Sequence, residues 1–187
     1  MKYDMIISGV GGQGALLAAK VLANLAVLNG LDVKLSEVHG MAQRGGSVIT
    51  HVRMGENVQS PLVSLGEADF VISFEWLEAL RAEDYLKEGG KLLALTQEIM
   101  PITVITGSAK YPEQVKKDHI VAFDALKLAK QAGNARCVNV VMLGALSNFL
   151  PFSEEHWIES LTASIKPKLL QTNIVAFKLG RELNLEK

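Results

Sequence analysis

A glycine-rich turn, Gly9-Val10-Gly11-Gly12-Gln13-Gly14, organises this sequence. It follows the apolar run Met5-Ile6-Ile7 and precedes a helical pattern that begins near Ala15. This order is typical of a strand, a tight turn and a helix N-terminus, and the spacing matches G-x-G-x-x-G. Residues without a Cβ let backbone N–H groups close on an anion, and the helix start adds unpaired donors. The stretch predicts a phosphate-bearing ligand; the alternative is that its glycines only allow a tight turn and close helix–sheet packing.

The residues around this turn predict a Rossmann-like β-α-β unit. Tyr3–Ser8 has the pattern of a buried strand, Ala15–Asn29 that of a helix stopped by Gly30, and Asp32–Ser36 that of a second strand. Glu37 then stands where a dinucleotide site places the acidic residue that holds a ribose hydroxyl. A stand-alone NAD-dependent dehydrogenase is therefore one hypothesis.

A second glycine-rich segment replaces the helix that a doubly wound fold would continue with. It reads His39-Gly40-Met41-Ala42-Gln43-Arg44-Gly45-Gly46-Ser47, and a strand-like run follows that we expect to form a hairpin or edge pair over Val48–Val58. Such a segment presents a fixed cation and several N–H donors, at the sheet edge where ligands bind. We expect it to lie beside the first turn. Alternatively, Arg44 is solvated or salt-bridged and His39 bonds only to backbone, while His51 and Arg53 share an ordinary exposed or interfacial face.

The remaining pattern completes an α/β fold, which we predict as a three-layer α/β/α domain spanning 1–187 with a mostly parallel, mixed sheet and a helical C-terminal region. Further strands are expected at Phe70–Ser73, Lys91–Leu95 (after a Gly89-Gly90 turn) and Ile120–Phe123. Helices are expected from Glu75, from Tyr111-Pro112-Glu113, and over Ala125–Gln131, Asn139–Leu150, Ser153–Ile165 and Lys168–Glu182. Glu75 and Glu78 fit dipole-compensating acids at a helix start, with a polar partner role as the alternative.

Composition excludes several classes of protein. The 187 residues carry a net charge of −1, which gives no basic balance for nucleic acid or an anionic membrane. The single cysteine, Cys137, forms no internal disulfide and cannot hold an iron–sulfur cluster, so we expect a core residue. The four histidines lack metal-ligand spacing, and no signal peptide, membrane span or self-sufficient catalytic set is present. The sequence predicts a cytoplasmic ligand-binding subunit without a metal or catalytic residue of its own.

Both glycine segments together resemble a known family. The first turn and the run Ser36-Glu37-Val38-His39-Gly40-Met41-Ala42-Gln43-Arg44-Gly45-Gly46-Ser47-Val48 resemble the gamma-type subunit or domain of 2-oxoacid:ferredoxin oxidoreductases. The Glu-Val-His-Gly-Met-Ala-Gln-Arg-Gly-Gly form is most similar to the beta subunit of the indolepyruvate branch. Supporting agreement comes from Ala68-Asp69, Phe74-Glu75, Glu78–Arg81, Tyr111-Pro112 and the helix from Asn139.

The resemblance implies a division of labour. A large partner subunit would carry thiamine diphosphate and [4Fe–4S] clusters, decarboxylate an arylpyruvate such as indolepyruvate, and pass electrons to ferredoxin, while the acyl group goes to coenzyme A. The alternative substrates are pyruvate, 2-oxoglutarate and 2-ketoisovalerate. This chain would bind no cofactor alone but would help to hold coenzyme A; a scaffold module whose glycine loops are an interface is a further, compatible hypothesis. The implied binding residues are Gly9, Gly11, Gly12, Gln13, Gly14, Glu37, His39, Gln43, Arg44, Gly45, Gly46 and Ser47.

Overall fold

The computed structural model describes residues 1–39, 46–183 and 185, and its centre is a six-stranded mixed sheet. The strand order is β2-β3-β1-β4-β5-β6. The pairs β1–β4, β4–β5 and β5–β6 are parallel, whereas β3 runs antiparallel to both of its neighbours. The strands are β1 Lys2–Val10, β2 Asp32–His39, β3 Ser47–Gly55, β4 Ala68–Ser73, β5 Leu86–Leu95 and β6 Ile120–Phe123.

Helices cover both faces of the sheet, which confirms the predicted α/β fold. The alternation of side chains along β1 separates two cores: Met5 and Ile7 face the larger one, and Ile6 faces the smaller one beneath α2. The larger core is closed by α1 and by the four C-terminal helices. The helices are α1 Ala15–Leu28, α2 Trp76–Ala82, α3 Ile102–Ile105, α4 Ala125–Gln131, α5 Val138–Leu146, α6 Glu154–Ser164 and α7 Pro167–Arg181.

The first unit departs from the predicted β-α-β arrangement in one respect. β2 runs in the same direction as β1, but β3 lies between them and pairs with β1 over Ser47–Gly55 and with β2 over Val48–Gly55. The run after the second glycine segment is therefore an internal strand. The expectation of a hairpin or edge pair over Val48–Val58 was wrong, because β3 ends at Gly55 and no strand follows it at Asn57 and Val58. A polar-apolar alternation predicts a strand but not its neighbours, so the sequence could not place β3.

The expectation of an exposed face for His51 and Arg53 was wrong. The segment that follows β3 folds back over this face: the Val63 backbone N–H donates to His51 Nδ1 at 3.1 Å, and Arg53 donates to the Leu62 carbonyl at 2.8 Å. His51 is buried, and burial lowers the pKa of its imidazole. Arg53 also forms a bidentate pair with Asp4 across the strands, at 2.9 and 3.0 Å. Both side chains are thus structural.

The buried Asp4–Arg53 pair makes the free energy of unfolding depend on pH in the acid range. Asp4 is 3% exposed; burial alone would raise the pKa of its carboxyl, but the hydrogen bonds and charges of Arg53 and Lys2 outweigh burial and lower it. A lowered pKa in the folded state adds stability that is present above the unfolded value of about 3.9 and lost as pH falls through the folded value. We expect Asp4→Asn to lower the free energy of unfolding by about 1–2 kcal/mol at pH 7, because it leaves Arg53 partly unpaired.

Urea unfolding between pH 7 and pH 2.5 measures this effect. The difference in free energy of unfolding between wild type and Asp4→Asn should become smaller below about pH 4. Glu56→Gln is the control, because the Glu56 side chain is exposed and, among the described residues, its ion pair is with the N-terminal amine. A gap that stays constant down to pH 2.5 would contradict the assignment.

Three local expectations were also wrong. Gly89 and Gly90 do not turn the chain but lie within β5, where the register against β4 shifts between Ala68 and Phe70. Tyr111-Pro112-Glu113 begins no helix. The helix predicted over Asn139–Leu150 ends at Leu146, before the proline that was expected to stop it.

Other C-terminal expectations were confirmed. Ser153 caps α6 by accepting from the His156 N–H at 3.2 Å, and α7 begins with Pro167. Cys137 is a buried core residue. Across the described ranges, no helix has both the length and the apolar character that a membrane crossing requires.

Candidate functional site

The first glycine segment forms a closed turn between β1 and α1. The Gln13 N–H donates to the Val10 carbonyl at 3.1 Å, and the Val10 N–H donates to Gln13 Oε1 at 2.7 Å. Gly12 and Gly14 have φ values of 101° and 90°, in the left-handed region that favours glycine. Of the four glycines in this segment, Gly12 and Gly14 are therefore required by the backbone conformation of the turn.

The N-terminus of α1 is left open towards the carboxyl edge of the sheet. Gly14 is the N-cap residue, and no side chain of the described residues caps the helix. The first turn, from Ala15 to Ala18, contains no acidic residue. Because the first N–H groups of a helix have no partner within it, this end offers donors and a partial positive charge.

The two glycine segments are joined directly. The Gly11 N–H donates to the Gly46 carbonyl at 2.9 Å, and Ser47 pairs with Val10 at the start of β3. The expectation that the segments lie side by side is confirmed for Gly46 and Ser47. Gln43, Arg44 and Gly45 lie outside the described residues, and their predicted contacts stay predictions from sequence.

A cleft of about 270 Å³ opens at this junction. Glu37 of β2 lies on one wall, where its carboxylate accepts from Thr50 Oγ1 at 3.1 Å. Leu16 is 64% exposed at the mouth. His39 is the last residue of β2, paired with Val48, and its predicted contact stays a prediction. The cleft is lined by Val10, Gly11, Gly12, Gly14, Ala15, Leu16, Glu37 and Val48.

Gln13 and Asn139 hold the turn from behind. The Gln13 amide donates to the Phe74 carbonyl at 2.8 Å, beyond the end of β4, and to Gln97 Oε1 at 3.4 Å. Asn139, at the start of α5, donates to the Gly14 carbonyl at 3.3 Å. Gln13 was predicted to contact the ligand, and these bonds engage its amide within the protein. Asn139 was predicted only as part of an apolar helix, since nothing in its local sequence reveals a partner 125 residues away.

Two buried glutamates of the α2 region form the other side of Val10. Glu75 caps α2 by accepting from the Glu78 N–H at 2.8 Å, and it also accepts from the Ile99 N–H at 3.0 Å and from the Tyr111 hydroxyl. Burial, together with the Glu75 hydrogen bond and charge, raises the pKa of the Tyr111 hydroxyl. Glu75 lies at the start of α2, where a dipole-compensating acid was expected, and its bonds to Ile99 and Tyr111 also give it the polar partner role that was the alternative. A second cavity, of about 200 Å³, lies between α2 and the segment 99–102.

Glu78 accepts two side-chain hydrogen bonds beside this cavity. Ser47 Oγ donates to Glu78 Oε2 at 2.5 Å, and Arg81 donates to Glu78 Oε1 at 2.6 Å. Ser47 was predicted to contact the ligand, and a polar partner role was the alternative for Glu78. The sequence signal for this carboxylate was a second acid in the first turn of the helix, three positions after Glu75.

The fold and the cleft define an α/β protein that presents anion-suited backbone at the carboxyl edge of its sheet. Among the described residues, no group of three or more histidine, cysteine, aspartate or glutamate side chains is arranged to hold a metal. Residues 4–183 match the pyruvate ferredoxin/flavodoxin oxidoreductase family, and the chain belongs to that family.

Named relatives and solved structures agree with this assignment. The chain is 45% identical to indolepyruvate oxidoreductase subunit IorB of Thermococcus kodakarensis, over 96% of this chain and 94% of that protein. It is 30% identical to 2-oxoglutarate synthase subunit KorC of Methanothermobacter marburgensis, over 100% and 98%. The gamma subunit of a keto/oxoacid ferredoxin oxidoreductase from Geobacter sulfurreducens has the same fold, with a TM-score of 0.72, 24% identity and 95% of each chain covered.

A longer chain of known structure is also similar in fold. It is the 2-oxoglutarate:ferredoxin oxidoreductase of Magnetococcus marinus, solved with 2-oxoglutarate, coenzyme A and succinyl-CoA bound. The match has a TM-score of 0.73 and 21% identity, and it covers 96% of this chain but 30% of that one. The fold described above thus occurs both as a separate chain and as part of a longer one.

Proposed function

We propose that this chain is the smaller subunit of an indolepyruvate (arylpyruvate):ferredoxin oxidoreductase and helps to bind coenzyme A. The complex would decarboxylate the 2-oxoacid oxidatively, form the acyl-CoA and pass electrons to ferredoxin, in the cytoplasm as the sequence predicts. The alternative substrates remain pyruvate, 2-oxoglutarate and 2-ketoisovalerate. The similarity to relatives named as indolepyruvate oxidoreductase subunits, at 34–45% identity over 96% of the chain, supports the indolepyruvate branch.

The observation that carries the proposal is the bond between the two glycine segments. It makes one rim out of the open helix end at Gly14 and the start of β3 at Ser47. Coenzyme A carries a pyrophosphate and a 3′-phosphate, which backbone N–H groups at a helix start can hold. Its ribose hydroxyl suits a carboxylate acceptor, and Glu37 supplies one in the same cleft. The residues present therefore fit this substrate.

The same features fit a stand-alone dehydrogenase less well. A dinucleotide fold pairs the strand that ends in the acidic residue directly with the strand that precedes the glycine turn. Here β3 separates β2 from β1, so Glu37 reaches the rim from two strands away. Membership of the oxidoreductase family above also favours the first hypothesis.

The redox chemistry of the proposed complex belongs to a larger partner subunit. That subunit would hold thiamine diphosphate and [4Fe–4S] clusters, which supply decarboxylation and electron transfer when bound. The only thiol of this chain, Cys137, is buried, and burial raises the pKa of its thiol, so it does not offer a reactive thiolate. Binding and assembly are the roles left to this chain.

Reconstitution tests the proposal. The isolated chain should show no ferredoxin reduction, and addition of the large subunit from the same source should restore coenzyme A-dependent turnover. Indolepyruvate should give the highest kcat/KM among the four 2-oxoacids named above. NADH turnover by the isolated chain would contradict the proposal, and a preference for another 2-oxoacid would move the chain to that branch.

Arg44→Ala tests the second segment within the assembled complex. We expect the KM for coenzyme A to rise about tenfold, because a hydrogen bond to a charged group contributes about 1.5–3 kcal/mol. The KM for the 2-oxoacid should stay unchanged. If the KM for coenzyme A does not change but the subunits separate more easily, Arg44 is an interface residue.

A further inference from the structure

Glu78 is a buried carboxylate that the proposed reaction does not use. It is 3% exposed on α2, within a short distance of the candidate site but outside the 270 Å³ cleft. A buried charge is costly unless it is paired and hydrogen-bonded. The partners that satisfy Glu78 therefore indicate what holds this part of the rim together.

The contacts of Glu78 reach two strands, β1 and β3, as well as its own helix. Its backbone N–H donates to the Glu75 cap, and its backbone carbonyl accepts from Ser8 Oγ of β1 at 3.3 Å. Arg81, one helical turn further along, supplies the compensating positive charge. The remaining carboxylate oxygen accepts from Ser47 Oγ at 2.5 Å, and Ser47 is the first residue of β3.

Ser47 adjoins the residue that joins the two glycine segments. The carbonyl of the preceding residue, Gly46, accepts from the Gly11 N–H at 2.9 Å. A continuous path of contacts therefore runs from Glu78 through Ser47 and Gly46 to Gly11. The backbone of Glu78 is fixed by its helix and by Ser8. Its carboxylate can therefore hold Ser47, at the end of the second segment, in a fixed position.

We propose that Glu78 is a positioning residue: through Ser47, it holds Gly46, at the described end of the second glycine segment, against Gly11 and so shapes the coenzyme A site. This inference rests on the proposed function. It reassigns the Ser47 hydroxyl, which serves the protein rather than the ligand. In this proposal Glu78 acts on the ligand through Ser47 and not by direct contact.

Five single variants and one double variant of the assembled complex test the proposal. Ser47→Ala removes the donor, and Glu78→Met removes the acceptor at similar volume. Ser47→Thr keeps the hydroxyl, and Glu78→Gln keeps an oxygen that accepts from Ser47. Glu83→Met is the matched control, because Glu83 follows the same helix but pairs with Lys117 and His119.

The expected result is a split between the kinetic constants. Ser47→Ala and Glu78→Met should each raise the KM for coenzyme A about tenfold, with kcat and the KM for the 2-oxoacid within twofold of wild type. Ser47→Thr and Glu78→Gln should restore most of the affinity. The KM for coenzyme A in the double variant Ser47→Ala/Glu78→Met should equal that in either single variant, because each substitution removes the same Ser47–Glu78 hydrogen bond. Glu83→Met should leave the KM for coenzyme A unchanged.

Hydrogen exchange of the full chain without coenzyme A gives a second readout. The Gly11 amide should exchange at least fivefold faster in Ser47→Ala and Glu78→Met, because its acceptor on Gly46 is no longer held in place. Additive effects on the KM for coenzyme A, with unchanged Gly11 exchange, would overturn the proposal and make Ser47 a direct ligand contact. An unchanged KM in both single variants would overturn it as well.

Failure of the proposed function has a different signature. If the wild-type complex does not use coenzyme A, the proposed function is wrong. The exchange rate of the Gly11 amide still tests whether Glu78 holds Gly46 in place through Ser47. If the wild-type complex uses coenzyme A and the variants have the same KM for coenzyme A, the proposed function stands and the positioning role of Glu78 is wrong.

Discussion

Gly144→Ala and Gly180→Ala should each destabilise the chain by about 2–4 kcal/mol, although glycine to alanine in a helix interior ordinarily stabilises by about 1 kcal/mol. The two glycines lie where α5 crosses α7. A Cβ on Gly144 would stand 2.0 Å from the Phe177 carbonyl oxygen, and a Cβ on Gly180 would stand 2.0 Å from the Val141 carbonyl oxygen. Both obstacles are backbone atoms, so neither clash is relieved by rotating a side chain.

The crossing matters beyond its own two helices. The Arg181 guanidinium donates to Ser147 Oγ at 2.9 Å, and the Asn148 amide donates to the Arg181 carbonyl at 3.0 Å. Separation of the helices by one methyl group would lengthen both bonds as well as loosen the larger core. We therefore expect an overpacking penalty rather than a local rearrangement.

Thermal and urea unfolding measure the effect. A loss of about 3 kcal/mol should lower Tm by about 6–12 °C in a chain of this size. Val175→Ala, on a partly exposed position of α7, is the control and should shift Tm by about 2 °C or less. The double variant should lose less than the sum of the single losses, because one separation of the helices accommodates both methyl groups. Stabilisation by either alanine would show that the helices do not approach this closely.

Local sequence predicted the elements whose signals are themselves local. The strand at Tyr3–Ser8, the helix from Ala15 and the stop at Gly30 each depend on neighbouring residues, and each is confirmed. The place of β3 between β2 and β1 depends on strand pairing at long range. The same limit explains Gly89-Gly90, because glycines suited to a turn also suit an irregularity within a strand.

In the candidate site, too, the features with local sequence signals were predicted and those that depend on long-range contacts were not. The glycine spacing predicted the turn, the open helix end and the neighbouring second segment. Sequence gave no means of predicting that Gln13 braces the turn, or that Ser47 donates to Glu78 31 residues later. A side chain that suits a ligand also suits a partner within the protein, and only the fold decides which of the two it meets. This ambiguity is greatest for hydroxyls and amides, which bond equally well to either.

Alanine at Gly14 should raise the KM for coenzyme A in the assembled complex by about thirtyfold. Gly14 has a φ of 90°, and a Cβ there would stand 2.4 Å from the Asn139 amide nitrogen. A left-handed conformation costs a residue with a Cβ about 1–2 kcal/mol, and the contact with Asn139 adds to this. The chain relieves that strain by moving the turn, and each 1.4 kcal/mol of lost binding energy lowers affinity tenfold.

Two further alanine variants separate strain at the site from strain in general. Gly12 and Gly30 have φ values of 101° and 70°, and a Cβ on either would meet nothing within 4 Å. Gly12 lies in the cleft, whereas Gly30 lies beyond the opposite end of α1. Gly12→Ala and Gly30→Ala should therefore lose similar stability, about 1–2 kcal/mol each, but only Gly12→Ala should weaken coenzyme A binding, by about tenfold.

The comparison of Gly14→Ala with Gly14→Ala/Asn139→Ala completes the argument. Truncation of Asn139 removes the clash but leaves the positive φ. It should therefore recover part of the affinity for coenzyme A, and the loss that remains should be similar to the loss in Gly12→Ala. Steady-state kinetics at varied coenzyme A, with the 2-oxoacid saturating, measures each KM. Equal losses of affinity in Gly12→Ala and Gly30→Ala would mean that strain anywhere along α1 weakens binding. In that case the open end of α1 would not be the place where the carrier is held.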